Sequence, residues 1–142
     1  MMDQTQAEFM KSDQCILVTP EDVIMGSMSK GDCHKGDGVL HRAFSLLVFD
    51  LHTGRMLLQK RSHHKVTFPM LWTNTCCSHP LFVAEEKSDV RIAAERKVKH
   101  ELGITVCKES MIPMARILYH ANHLDWAESE LDHILVSVMV DG

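Results

Sequence analysis

A chain of 142 residues, 45% hydrophobic and 24% charged, is long enough to bury one sizeable core and has the composition of an ordinary globular domain. A net charge of −4 excludes the strongly basic surface that would suit nucleic acid or an anionic membrane. No apolar run reaches membrane-spanning length and no apolar leader opens the chain; with five cysteines, an odd number, free thiols in a reducing compartment, the cytoplasm, are expected.

The chain reads as one domain over 1–142, with 1–13 polar and expected to fray. The stretch CILVTP (15–20) predicts a short buried strand ended by Pro20, and a second strand is predicted near Val23–Met28, before a Gly/Asp-rich loop. HRAFSLLVFD (41–50) predicts a central strand, LHTG a turn, and RMLLQKRS (55–62) the returning strand of a hairpin. From Ser88 the pattern changes: Val90, Ala93, Ala94, Val98 and Leu102 recur at helical spacing, with Gly103 as the stop. Arg91/Glu95 and Lys97/Glu101 are i, i+4 pairs along that helix. PMARILYHA (113–121) and DHILVSVMV (132–140) predict two strands joined by the loop NHLDWAESEL. This order implies an α+β fold, a mixed sheet with a helix packed on it.

Chemistry concentrates in FPMLWTNTCCSHP (68–80), where Cys76, Cys77 and His79 lie side by side between prolines. A buried turn would account for it, and so would a thiol nucleophile or acid–base group beside a metal ligand. The candidate ligands are His34, His41, His79, Glu128 and Glu130. Residues two apart on an extended chain face the same side, so Glu128 and Glu130 can converge. Imidazoles with carboxylates suit Zn²⁺, Mn²⁺ or Mg²⁺. Their spacing alone forms no tight motif, and scattered surface polar residues are the simpler reading. The basic residues Lys60, Arg61, Lys65, Arg91, Arg96, Lys97 and Lys99 fit a solvated face, or in part a small anion.

Taken together, HRAFS, TFPMLWTNTCCSHPL, AAERKVKHELGI and ESELDHIL resemble the type I isopentenyl-diphosphate isomerase family over about Val18 to Val140, WTNTCCSHP being the most specific piece. The resemblance implies a Nudix-like mixed β-sheet sandwich with a packed helix, and the interconversion of isopentenyl and dimethylallyl diphosphate. It implies His34, His41, His79, Glu128 and Glu130 as ligands of a divalent metal (Zn²⁺, Mn²⁺ or Mg²⁺), and Glu101 as a ligand of a second, diphosphate-bound Mg²⁺. It implies Lys30, Arg61, Lys65 and Lys97 as diphosphate contacts, Cys77 rather than Cys76 as the essential thiol, and Tyr119 as a hydrogen-bond partner of the catalytic Glu130. The partner it implies is a small isoprenoid diphosphate, with neither nucleic acid nor membrane insertion. This sequence departs from the family at Met70, where the family has Gly, and at Lys97, where it has Arg; the family also continues beyond Gly142 into C-terminal helices that this chain lacks.

Moving a double bond along an unactivated isoprenoid requires protonation of the alkene and then loss of a neighbouring proton from the opposite face. Glu130 is the expected acid and Cys77 the group across from it, the two exchanging roles with reaction direction. Positive charge near His79 is expected to lower the thiol pKa from its usual ~8.5. Trp72 and Trp126 are candidates for an aromatic face toward the cation. Two other readings compete. A Nudix-type diphosphohydrolase needs carboxylates where this helix has Lys97 and His100. An inactive, truncated metal-binding relative or redox module would use Cys76, Cys77 and His79, although no C-x-x-C pair is present.

Overall fold

In a computed structural model that describes residues 7–8, 10, 12–65 and 67–140, the apolar stretch 41–50 forms β3 (His41–Asp50), and the site is built from its two edges. Before it come β1 (Gln14–Val18), β2 (Ile24–Ser29) and the short helix α1 (Lys30–His34). After it come β4 (Gln59–Lys60), β5 (Trp72–Thr73), β6 (Cys76–Ser78), α2 (Ala84–Ser88), α3 (Val90–Leu102), β7 (Ile112–His123) and β8 (Trp126–Met139). The main sheet runs β2-β1-β3-β8-β7, with β6 also on β3, while β4 and β5 form a separate pair. Among the described residues only the β3–β8 ladder is parallel; it sets His41 opposite Glu130. On the other edge of β3, Ser45 faces Cys77 of β6 and Leu17 of β1 meets His41.

Strand alternation divides β3 between two tasks. Phe44, Leu46 and Val48 pack into the main core with Ala93, Ala94 and Val98 of α3 and Leu135 of β8. His41 and Ser45, on the other parity, belong to the site. The helix is placed as the apolar spacing predicts: Asp89 caps it by accepting from the Arg91 amide at 3.0 Å, and Gly103 closes it at φ 72°, a left-handed conformation glycine adopts freely. Of the two predicted pairs, Lys97–Glu101 forms at 3.7 Å. Arg91 instead grips Asp89 through two bonds of 3.0 Å, and Glu95 accepts from the Lys108 amide.

Two expectations are corrected. The hairpin return over 55–62 does not continue as a strand: it keeps a bridge between Phe49 and Met56 and a bond from the Leu57 amide to Val48. β6 occupies that edge of β3 further along, so the chain peels away with Leu57 and Leu58 exposed, and only Gln59–Lys60 pairs again, with β5. The loop predicted over 122–131 is mostly strand, β7 and β8 being joined through Leu124 (φ 56°) and Asp125. The expected fraying of 1–13 falls mostly outside the described residues; of those described, residues 7, 8, 10 and 12 are helical and Met10 is buried. No helix among the described residues is long and apolar enough to cross a membrane.

Candidate active site

Four elements each deliver one ligand to a common point. His34 ends α1, His41 opens β3, His79 follows β6, and Glu130 lies in β8. One ligand atom from each can lie within 4.8 Å of all the others. The three imidazoles form a near-equilateral triangle, with ring centroids 4.7, 4.7 and 4.9 Å apart. His34 Nδ1 bonds the Lys30 carbonyl at 2.6 Å and His41 Nδ1 bonds the Val39 carbonyl at 2.7 Å. A carbonyl only accepts, so each Nδ1 carries a proton and Nε2 is the nitrogen left to face a cation, the orientation of a metal-ligating histidine. His79 Nε2 meets Glu130 Oε1 at 2.8 Å, and His41 Nε2 lies 3.6 Å from the same oxygen. His41 Nε2 and His79 Nδ1 are buried without a hydrogen-bond partner, which suits a centre that takes a cation.

The electrostatics agree with that use. Burial, then the neighbouring His41, pushes His34 down to about 4, and burial likewise drives His79 well below its usual value. Burial also opposes charge on His41, yet Glu130 lifts it above the ordinary histidine range. Glu130 is buried, but His41 and His79 hold its carboxyl well below the usual carboxylate range. Glu128, expected as a fifth ligand, stands beside this cluster rather than in it: Thr67 Oγ1 donates to its Oε1 at 3.0 Å, and burial and Glu130 raise its proton affinity.

A cavity of about 480 Å³ opens from the cluster. Glu128, Glu130 and Asp132 line it from β8, Tyr119 and Ile117 from β7, Cys77 from β6, and Phe68, Leu71 and Trp72 from the loop before it. Cys77 thus shares one cavity with Glu130. Its Sγ donates to Asn74 Oδ1, with Ser45 Oγ at 3.5 Å and Thr73 Oγ1 at 3.8 Å. In the metal-free site burial pushes the thiol up more than these bonds pull it down. Cys76 faces the core, fully buried. Tyr119 stands opposite Glu130 in the β7–β8 ladder but makes no hydrogen bond to it among the described residues; burial and the Glu128 and Glu130 charges raise its phenol. Trp72 lines the cavity, whereas Trp126 opens β8 and bridges Lys35 outside it.

Beside the thiol, cations outnumber carboxylates. Glu101 accepts from Gln59 at 3.1 Å and lies 3.4 Å from Lys65 and 3.7 Å from Lys97. Burial opposes its charge, but the two lysines hold its carboxyl below the ordinary range. Lys30, at the cavity wall, is pushed down to about 8 by burial and then by repulsion from Lys65 and Lys97. Two ammonium groups flank the Glu101 carboxylate and Lys30 stands near enough to feel both, a set of cations that suits a polyanion. Arg61 is already engaged: Nε and Nη2 donate to the Thr67 and Phe68 carbonyls, fixing the loop over the cavity.

That loop contains Met70 at φ 65° and Phe68 at φ 47°, both left-handed. The family glycine at Met70 therefore has a physical reason. Met70→Gly is expected to raise the free energy of unfolding by about 1 kcal/mol, the left-handed cost less the unfolded-chain entropy that glycine adds. Urea denaturation measures it; an unchanged or lower stability would refute the strain.

Asp132, Ser45, Thr67 and Asn74 were not singled out from the sequence. Asp132 had a signal, since it continues the two-residue period of Glu128 and Glu130. The others are tied to the site by pairings such as Thr67–Glu128, 61 residues apart in sequence.

No protein-family model matches the chain. Curated relatives do: isopentenyl-diphosphate Delta-isomerase I of Clarkia breweri is 45% identical over 94% of this chain and 51% of its own length. The isomerase I of Camptotheca acuminata is 44% identical over 96% of this chain and 64% of its own. That of Phaffia rhodozyma is 43% identical over 95% of this chain and 59% of its own. The chain thus spans between 51% and 64% of the length of these three relatives. Among solved structures, DR0079 from Deinococcus radiodurans superposes with a TM-score of 0.65 at 16% identity, covering 92% of this chain and 74% of that one; the architecture is Nudix-like.

Proposed function

We propose that the chain belongs to the type I isopentenyl-diphosphate isomerase family and that its cavity interconverts isopentenyl and dimethylallyl diphosphate, adding a proton to one face of the alkene and removing one from the other. The observation that carries this reading is that a single cavity holds Cys77 and an imidazole-anchored Glu130, with a cluster of lysines beside them. Cys77 and Glu130 are the proton-transferring pair, exchanging roles with direction. Tyr119, across the strand from Glu130, is placed to hold that carboxyl once substrate fills the cavity. Lys30, Lys65 and Lys97 grip the diphosphate, and Glu101 is the carboxylate for its Mg²⁺. Arg61 contributes through the loop it fixes and through the donors the loop leaves unused. The exposed ring of Trp72 offers an aromatic face to a cation.

His34, His41, His79 and Glu130 would hold a divalent ion, Zn²⁺, Mn²⁺ or Mg²⁺, with Glu128 as a further ligand. When bound, such an ion supplies fixed positive charge that orients the carboxylate. Zn²⁺ is expected to raise the melting temperature of the wild-type chain and not of His41→Ala. Because burial holds His34 and His79 neutral while Glu130 raises His41, ion uptake should release a proton from His41 to an extent that grows as pH falls, read from the dependence of the binding enthalpy on buffer. The five unbridged thiols support a reducing compartment such as the cytoplasm.

The test is turnover of isopentenyl diphosphate by this chain with Mg²⁺ and Zn²⁺, product identified as dimethylallyl diphosphate. Phosphate release from nucleoside diphosphate compounds would instead support the hydrolase. Tight metal binding without turnover would support the inactive relative.

A further inference from the structure

A buried hydroxyl ties the loop over the cavity to β8. The base of that loop is closed by the Arg61 amide, which donates to the Leu71 carbonyl at 2.8 Å, and by the Met70 amide, which donates to the Arg61 carbonyl at 3.1 Å. Inside the loop the Arg61 guanidinium folds back on Thr67, Nη2 reaching the carbonyl at 2.8 Å and Oγ1 at 3.3 Å. Thr67 lines the cavity, is 4% exposed, and places its Oγ1 3.0 Å from Glu128 Oε1. The groups themselves fix the direction of these bonds. A guanidinium only donates, so toward Arg61 the hydroxyl oxygen accepts. Its one hydrogen is then left for the Glu128 carboxylate, which accepts it. The order is Arg61 to Thr67 to Glu128, with the hydroxyl hydrogen used once.

Glu128 has use for such a tether. It is half-buried and lies two residues before Glu130, on the same face of β8, yet it stands beside the cluster of His34, His41, His79 and Glu130. A glutamate side chain has several staggered conformations open to it, and only some of them keep the carboxylate near that cluster. Thr67 holds one carboxylate oxygen and leaves the other for a cation. We propose that Thr67 is a positioning residue: its hydroxyl keeps the Glu128 carboxylate beside the imidazole–Glu130 centre, ready to join a bound ion, and Arg61 in turn holds the hydroxyl. The effect on ion binding rests on the metal reading above; the tether between loop and strand does not.

Titration calorimetry of the full chain with Zn²⁺ tests the role. Thr67→Val keeps the volume, removes the hydroxyl, and should lower Zn²⁺ affinity about tenfold, the lower end for a group that orients a metal ligand. Thr67→Ser, which keeps the hydroxyl, should bind as the wild type does. In a Glu128→Leu background Thr67→Val should cost nothing further, because the hydroxyl acts through that carboxylate. A merely structural contribution would instead lower the affinity equally in both backgrounds. The tether is read without any metal by trypsin, which cuts after Lys65 inside the loop. Thr67→Val and Glu128→Leu should each speed that cut several-fold, and Thr67→Ser should not. Zn²⁺ affinity unchanged or raised in Thr67→Val, a further loss on top of Glu128→Leu, or a cut no faster in either variant would overturn the proposal. A wild-type chain that takes up no Zn²⁺ would defeat the metal reading, and the cleavage rates would still decide whether Thr67 holds the loop to Glu128.

Discussion

Cys77→Ala and Glu130→Gln are each expected to lower the kcat of isomerisation by roughly 10²–10⁴-fold, the contribution of a positioned acid or base, while both variants still unfold cooperatively. Removing the sulfur leaves one face of the alkene without a proton-transferring group. Replacing the carboxyl by an amide removes the other and leaves His79 Nε2, now 2.8 Å from a carboxylate oxygen, beside a neutral group. The neighbouring Cys76 cannot substitute for Cys77: it is fully buried in the main core, and its thiol points to Glu101 at 3.8 Å. Steady-state kinetics on both variants decides the matter. Activity within a few fold of wild type in either one would remove that residue from the mechanism.

The second large effect concerns stability. Asp22→Asn is expected to cost about 3–5 kcal/mol in urea unfolding, the range for leaving a buried charge without its partner. Arg42 is 7% exposed and threads its guanidinium between elements: Nε reaches Asp22 Oδ1 at 2.8 Å, Nη2 the Asp22 carbonyl at 3.2 Å and Nη1 the Lys87 carbonyl at 3.2 Å. His133 at 3.0 Å and Arg116 at 3.4 Å crowd the other oxygen of Asp22. One carboxylate thus ties the β1–β2 turn to β3, β7 and β8. Asn suits the left-handed backbone at position 22 (φ 68°) as well as Asp does, so the loss reads the charge and not the turn. A cost under about 1 kcal/mol would show the pair to be as weak as an exposed one.

Local pattern made the centre of this fold legible. β3 begins and ends where its apolar run does, and α3 buries Ala93, Ala94 and Val98 as the three- and four-residue spacing requires. The start of β8 was not legible, because NHLDWAESEL alternates polar groups that face a cavity, and such a strand resembles a loop when its partner is unknown. The same concealment covers Asp132, whose hydrogen bond to Ser45 spans 87 residues of sequence. The family resemblance named His34, His41, His79 and Glu130, which the fold gathers from four elements. It could not foresee that burial would outweigh the hydrogen bonds at Cys77, or that Arg61 would direct donors to the loop carbonyls, since both depend on packing rather than residue type.

The central claim is that a sulfhydryl and an anchored carboxyl act on opposite faces of one small alkene. Incubating the chain with isopentenyl diphosphate, Mg²⁺ and Zn²⁺ in D₂O, and following deuterium entry into the substrate carbons by NMR, tests it most directly. The account predicts exchange in wild type that is lost in both Cys77→Ala and Glu130→Gln. Undiminished exchange in either variant, or its absence from a wild-type chain that binds the diphosphate, would contradict it.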